Sequence, residues 1–388
     1  MLACLAVVAL PAAGGHAAGA DTGKARTCFG RTATVSGLQG TPGDDVIIGT
    51  PGDDTIHGRG GDDLICGLGG VDTLAGGPGR DALHGGAGPD ILVGDVLRLY
   101  KDVHGGEADR LYGGRGPDEL IGDSYSVHRN ASGGGRDRLY GGAAYDVLIG
   151  DSKGQNASGG GPDRLAGAGG DDLLVGDSVA EDGNARGAGN DVLREGRGVG
   201  GAAFGDSVAF LGNVFGRGGH DIVDLGADGG TFGIGDHLAP DGTATGAGHD
   251  RVLGGSADEM LLVGDSSGVG RTGTAAGNDL VRGRAGDDVL FGDNLDNDAV
   301  RTIGTAGGRD RLFGGAGRDT VDPGPGRDLL NGGADTDDCR AASPRDVTLF
   351  CESELRPLNR PGLLRRDTAV AEARAHVREA LTGGVTRR

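Results

Sequence analysis

From Gly40 to Val93 the chain runs through a nine-residue unit six times without a gap: GTPGDDVII, GTPGDDTIH, GRGGDDLIC, GLGGVDTLA, GGPGRDALH and GGAGPDILV. Aligned, the units share Gly at the first and fourth places, Asp at the sixth (Asp45, Asp54, Asp63, Asp72, Asp81, Asp90) and Ile or Leu at the eighth (Ile47, Ile56, Ile65, Leu74, Leu83, Leu92). A fixed period of this kind implies one structural unit stacked on copies of itself.

Composition matters for what it excludes. With Gly 86 and Pro 13 among 388 residues, 3% aromatic residues and no Trp, the chain lacks the large side chains of a thick globular core. A formal charge of -20 makes any compact form repel itself, so something must neutralise the carboxylates. The acidity argues against nucleic acid, whose binding depends on clustered Lys and Arg. No phosphate loop of the GxxxxGK[ST] type occurs.

The spacing has a direct structural reading. Glycines permit positive φ and bring backbone carbonyls close to whatever occupies a turn, and an Asp at a fixed place adds a hard anionic oxygen. The three-residue tail of each unit, such as Val46-Ile47-Ile48, suits one short strand whose middle side chain points to one face. Two nonapeptides then close a coil of eighteen residues, and stacking sets Asp45 beside Asp63 and Asp54 beside Asp72. The result is an all-β solenoid with two edges of carboxylate and carbonyl oxygen and a narrow aliphatic interior.

After Val93 a longer rhythm takes over. Gly-Asp recurs at Asp95, Asp123, Asp151, Asp177, Asp206, Asp236, Asp265 and Asp293, at intervals of 28, 28, 26, 29, 30, 29 and 28 residues. Each interval holds a linker and then nonapeptides of the earlier kind, as in SGGGRDRLY-GGAAYDVLI from Ser132 to Ile149. Between Arg186 and Gly233 the second copy blurs, and regularity returns from Thr274 to Asn331. The linkers either add a further side to each coil or hang from one face as loops. Their Gly-Asp carboxylates either cap turns or add another column of cation ligands.

Oxygen ligands on a flexible glycine frame suit Ca²⁺, which accepts six to eight oxygens at loose geometry, better than Mg²⁺ or a thiolate- or imidazole-bound metal. The candidate metal ligands are the sixth-place aspartates Asp45, Asp54, Asp63, Asp72, Asp81 and Asp90. In the longer rhythm they continue as Asp109, Asp118, Asp137, Asp146, Asp163, Asp172, Asp191, Asp221, Asp250, Asp279, Asp288, Asp310, Asp319 and Asp328. The turn glycines Gly43, Gly52, Gly61, Gly70, Gly79 and Gly88 join them through their carbonyls. His57, His84, His104, His220 and His249 are scattered and read as loop or strand residues.

These units resemble the hemolysin-type (RTX) calcium-binding repeat, G-G-x-G-x-D-x-U-x with U large and aliphatic, most closely in Gly76 to His84, Gly85 to Val93, Gly113 to Ile121 and Gly314 to Asp322. The opening and closing segments are similar to those of secreted actinobacterial repeat proteins. The resemblance implies a right-handed parallel β-roll whose GGxGxD turns hold Ca²⁺ between successive coils and whose U side chains pack inward. It implies the sixth-place aspartates and turn carbonyls as ligands.

The ends carry different signals. Leu2 to Leu10 is an apolar run too short to span a bilayer, and Ala18-Gly19-Ala20 follows it, so residues 1–20 read as a secretory signal and the protein as extracellular. Residues 21–39 then form an N-terminal cap segment, 40–93 the regular array, 94–338 its extended form and 339–388 a disulfide cap with a basic tail. If Cys4 leaves with the signal, four of the five cysteines remain, and the simplest pairing is Cys28 with Cys66 and Cys339 with Cys351, although four cysteines permit three connectivities. Val370, Ala373, Val377 and Leu381 fall at helical spacing and predict a short C-terminal helix over Asp367 to Leu381. No later segment is apolar enough to cross a membrane. The alternative to a calcium-binding structural role is calcium-dependent adhesion to a cell-surface or glycan partner through the linker face. A polysaccharide-active β-helix enzyme is disfavoured, since Tyr112 and Tyr140 sit at ninth places as strand residues.

Overall fold

The computed structural model describes residues 26–269, 276–296, 301–302 and 307–354. The expected signal segment and C-terminal helix lie outside them. Among the described residues there is no helix, and apart from a small antiparallel pair, Thr27–Cys28 with Arg31–Thr32, the strands build four ladders along one solenoid. No helix of these residues is long and apolar enough to cross a membrane.

Two ladders of thirteen strands each come from the nonapeptide tails. The first sheet begins Val46–Ile48, Leu64–Cys66, Ala82–Ala87 and the second Thr55–His57, Thr73–Ala75, Ile91–Val93, all paired parallel and in register. The eighth-place side chains of both sheets, from Ile47 and Ile56 to Val321 and Leu330, are fully buried in one continuous core between them. This is the narrow interior expected from the period: a side chain on alternate sides of a three-residue strand leaves only the middle one facing inward.

The linkers are not loops. The six linkers after Asp95 to Asp236 each contribute two further strands, one to a nine-stranded and one to a six-stranded ladder, and those after Asp265 and Asp293 add described strands to the nine-stranded ladder alone. In the third sheet Leu97–Arg98, Tyr125–Ser126, Lys153–Gly154 and Val179–Ala180 follow one another, and in the fourth Val103–His104, Ala131–Ser132, Ala157–Ser158 and Ala185–Arg186. The third sheet lies over the outer face of the second, where Ile121, Ile149, Val175 and Phe204 meet Val179, Val208 and Leu238 in a second core. Alanines such as Ala157, Ala180 and Ala209 fill the tighter space between the third and fourth sheets. The recurring linker asparagines tie coil to coil at the surface: the amides of Asn184, Asn213 and Thr243 donate to the side-chain oxygens of Asn156, Asn184 and Asn213 at 2.8–2.9 Å.

Both ends are closed by disulfides, Cys28–Cys66 and Cys339–Cys351. Cys28 and Cys66 pack with Val46 at the start of the array, and Cys339 lies in the main core with Cys351 against it. A solenoid exposes core at its ends, and cross-links there restrain the coils that have only one neighbour.

Candidate cation sites

Each sixth-place aspartate stands immediately before a strand, where the glycine turn delivers the chain to the sheet. In front of the first sheet, the backbone N–H of Asp45 donates to Oδ1 of Asp63 on the next coil, Asp63 to Asp81, Asp81 to Asp109 and Asp109 to Asp137, at 2.6–2.7 Å. The chain of bonds continues without a break through Asp163, Asp191, Asp221, Asp250, Asp279, Asp310 and Asp328 to Asp346. In front of the second sheet a matching row links Asp54, Asp72, Asp90, Asp118, Asp146 and Asp172 at 2.8–2.9 Å. It resumes at Glu259 and runs through Asp288, Asp319 and Asp337 to Glu352.

These bonds use one oxygen of each carboxyl. The other, Oδ2, is buried and without a partner in Asp63, Asp72, Asp81, Asp90, Asp109, Asp118, Asp137, Asp146, Asp163, Asp172, Asp191, Asp221, Asp250, Asp279, Asp288, Asp310, Asp319 and Asp328. Buried polar oxygens are normally satisfied, so a regular series of orphans pointing to the same place on every coil marks a ligand position. Asp45 and Asp54, on the outermost turns, differ: their Oδ2 atoms accept from the amides of Thr41 and Thr50 at 2.5 Å.

Four of the six turn glycines are required twice over. Gly61, Gly70, Gly79 and Gly88 have positive φ, and a Cβ on any of them would run into the backbone of Gly43, Gly52, Gly61 or Gly70 one coil back. A side chain at these places would keep successive turns from stacking at this distance.

The Gly-Asp residues form a third, inner row. In the coils that carry linkers, the turn before the first sheet is opened after its first glycine, and the Asp at the opening reaches back to the returning strand. Oδ2 of Asp123, Asp151, Asp177, Asp206 and Asp236 accepts from the amides of Gly135, Gly161, Gly189, Gly219 and Gly248 at 3.0–3.2 Å. Their Oδ1 atoms are buried and unpartnered. They interleave with the first row, so that Asp123, Asp137 and Asp151 offer oxygens within 4.8 Å of one another, as do Asp151, Asp163 and Asp177, then Asp177, Asp191 and Asp206, then Asp206, Asp221 and Asp236. The same carboxyl thus caps the turn through Oδ2 and leaves Oδ1 placed as a candidate ligand.

Electrostatics follows from burial. Burial is the largest effect pushing the Asp63 carboxyl up to about 6, Asp72 to about 7 and Asp81 to about 8. In the inner region burial, reinforced by neighbouring aspartates, raises Asp137, Asp151, Asp191 and Asp206 well above the carboxylate range. Three carboxyls in a dry space cannot all ionise unless a cation compensates them. The donor set is all oxygen, hard and closely spaced, which fits Ca²⁺.

Among the histidines, His84 lies on a strand and His220 and His249 stack at the surface with ring centroids 4.9 Å apart, as befits structural residues. His237, which the sequence reading passed over, is fully buried next to the inner row and pushed down to about 3 by burial, so it is a neutral imidazole at physiological pH. Tyr112 and Tyr140 stack in register on the first sheet, centroids 5.0 Å apart. The sequence reading also missed the acids that extend the rows, Glu259, Asp337, Asp346 and Glu352. Glu259 and Glu352 put a Glu in place of Asp, the unit of Asp346 has no glycines, and Asp337 lies in a unit whose fourth place holds Asp335 instead of Gly.

The family model for the RTX calcium-binding nonapeptide repeat (4 copies) matches residues 39–74, 67–96, 105–124, 132–152, 158–178, 274–298 and 305–339. No curated protein and no solved structure matches the chain.

Proposed function

Because the chain is built on the RTX calcium-binding nonapeptide repeat, we propose that it is an extracellular protein whose array becomes a rigid β-roll when Ca²⁺ fills its aspartate rows. The ligands are the sixth-place aspartates from Asp63 onward with the turn carbonyls, joined in the coils that carry linkers by the Gly-Asp carboxylates. The observation that carries this reading is the unbroken series of buried carboxyls with one oxygen accepting from the preceding coil's amide and the other unpartnered.

Without cations the rows repel and the glycines make ordering costly in entropy, so binding free energy supplies folding free energy. Extracellular calcium modules bind with constants of roughly 10⁻⁴ to 10⁻³ M, which makes export itself the folding trigger. The two disulfides support an oxidising compartment. The linker asparagines form a coil-to-coil ladder, which gives the linkers a structural role in this reading. Far-UV circular dichroism tests it: a coil spectrum in chelator should convert to strand on adding millimolar Ca²⁺, and an unchanged spectrum across that titration refutes the mechanism.

A further inference from the structure

The second aspartate row has a gap where the repeats blur. At the places of Asp172's successors stand Gly201 and Gly230, as the bonds from Ala202 N–H to Asp172 O and from Thr231 N–H to Gly201 O show. Neither glycine can supply a carboxylate. Yet the space is filled: a Cβ built on Gly201 would collide with Oε1 of Glu195, and one on Gly230 would lie 2.5 Å from its Oε2.

Glu195 occupies the position that is Gly in the regular units. In those units, a Cβ on the corresponding glycine, Gly113 or Gly167, would run straight into the Oδ2 atom of Asp118 or Asp172. A side chain that starts at that glycine therefore points at the ligand position from the opposite side. Glu has the length to end there, and the Asp it replaces is deleted to Gly so that the two do not clash. Glu195 is fully buried and both of its oxygens are unpartnered. One coil later the same position holds Leu225, which is fully buried in the main core, and the coil after that restores a glycine, Gly254, beside an acid, Glu259.

We propose that Glu195 is a Ca²⁺ ligand that enters the second row from the opposite strand and replaces the missing sixth-place aspartate. Its two oxygens reach toward two successive coils, and Leu225 then ends this run of sites before a second run begins at Glu259. The inference rests on the calcium reading of the rows, and its test separates the two. Crystals of the wild-type protein grown in Ca²⁺ and measured for anomalous scattering should show an ion bonded to Glu195. Ions beside Asp146 and Asp118 with none at Glu195 overturn the proposal alone; no ion in either row overturns the calcium reading itself, and this one with it. In solution, E195Q keeps the side chain's shape and should bind at least one Ca²⁺ fewer per molecule than wild type, while D182N, on an exposed residue of the same coil, should not change the count. A folded E195Q protein with an unchanged count overturns the assignment, and if that variant fails to fold the wild-type crystal decides.

Discussion

Lys153 offers a quantitative test of how the linker layer is fastened to the roll. Its Nζ lies 2.6 Å from Oε1 of Glu119 and 3.4 Å from Oε1 of Glu181, with the Tyr125 ring centroid at 5.1 Å. The lysine and Glu119 side chains are only 4% and 8% exposed, whereas Glu181 is 28% exposed. Burial pushes the ammonium toward neutrality, but Glu119 leads the opposing interactions that hold its pKa well above the ordinary value, so it stays charged. Lys153→Met retains most of the stem and removes the charge, leaving the Glu119 carboxyl without its partner between the second and third sheets. Breaking a buried pair from one side costs about 3–5 kcal/mol. Glu181 contributes little to that loss because it can turn to water. Removing both partners should be far milder. Glu119 pairs in register with Ile91 and Val147, so Lys153→Met with Glu119→Leu continues an apolar row, and such replacements are often neutral or stabilising. Urea unfolding at fixed, saturating Ca²⁺ reads both variants. If the double variant is as unstable as the single one, the penalty comes from packing and not from an uncompensated charge, and the reasoning fails.

Two further outcomes follow from the rows and the turns. In chelator, aspartates whose folded pKa values stand at about 6 to 8, Asp63, Asp72, Asp81 and Asp90 among them, favour the folded state fully below their unfolded value, and that contribution is lost as pH rises through 6 to 8. In chelator, acidification from pH 8 to pH 4 should therefore raise strand content by circular dichroism, while in millimolar Ca²⁺ the urea midpoint should be higher at pH 8 than at pH 4, because protons and cations compete for the same oxygens; parallel trends in both buffers would refute this. Gly150→Ala places a Cβ against the carbonyl of Gly176 and 2.5 Å from Oδ2 of Asp163, and should destabilise by at least about 2 kcal/mol, whereas Gly37→Ala, with nothing within 4 Å, should stay within about 0.5 kcal/mol on the same urea titration.

The repeat carried most of the fold in plain view. Asp at the sixth place and an aliphatic residue at the eighth recur at one spacing, and the backbone turns that spacing directly into rows: Asp45 bonded to Asp63, Ile47 above Ile65. The end-to-end cysteine pairing was legible because each pair brackets one end of the array. The linker architecture was less so. Strands of two residues, such as Val103–His104 and Ala131–Ser132, are too short to show a period-two pattern and declare themselves only by register with neighbours 26 to 30 residues away. That extra layer also buries seventh- and ninth-place side chains of the second sheet, Val147 and Ile149 for example, which the coil reading had left facing outward. Glu195 was hidden for another reason. Alignment by place treats a misplaced acid as a lost repeat, although in space its carboxyl ends where the aspartate would have been.

The hydrogen bonds of all four sheets run from coil to coil, along the direction of stacking. Tension along that direction is thus shared between sheets acting side by side, and the number of sheets changes along the length. Where coils repeat every 18 residues, as between Asp45 and Asp63 or Asp310 and Asp328, two ladders bear the load; where they repeat every 28, as between Asp109 and Asp137, four do. The molecule is reinforced in its middle and thinner toward its ends, like a splinted cable, and each thin end is where a disulfide has been placed.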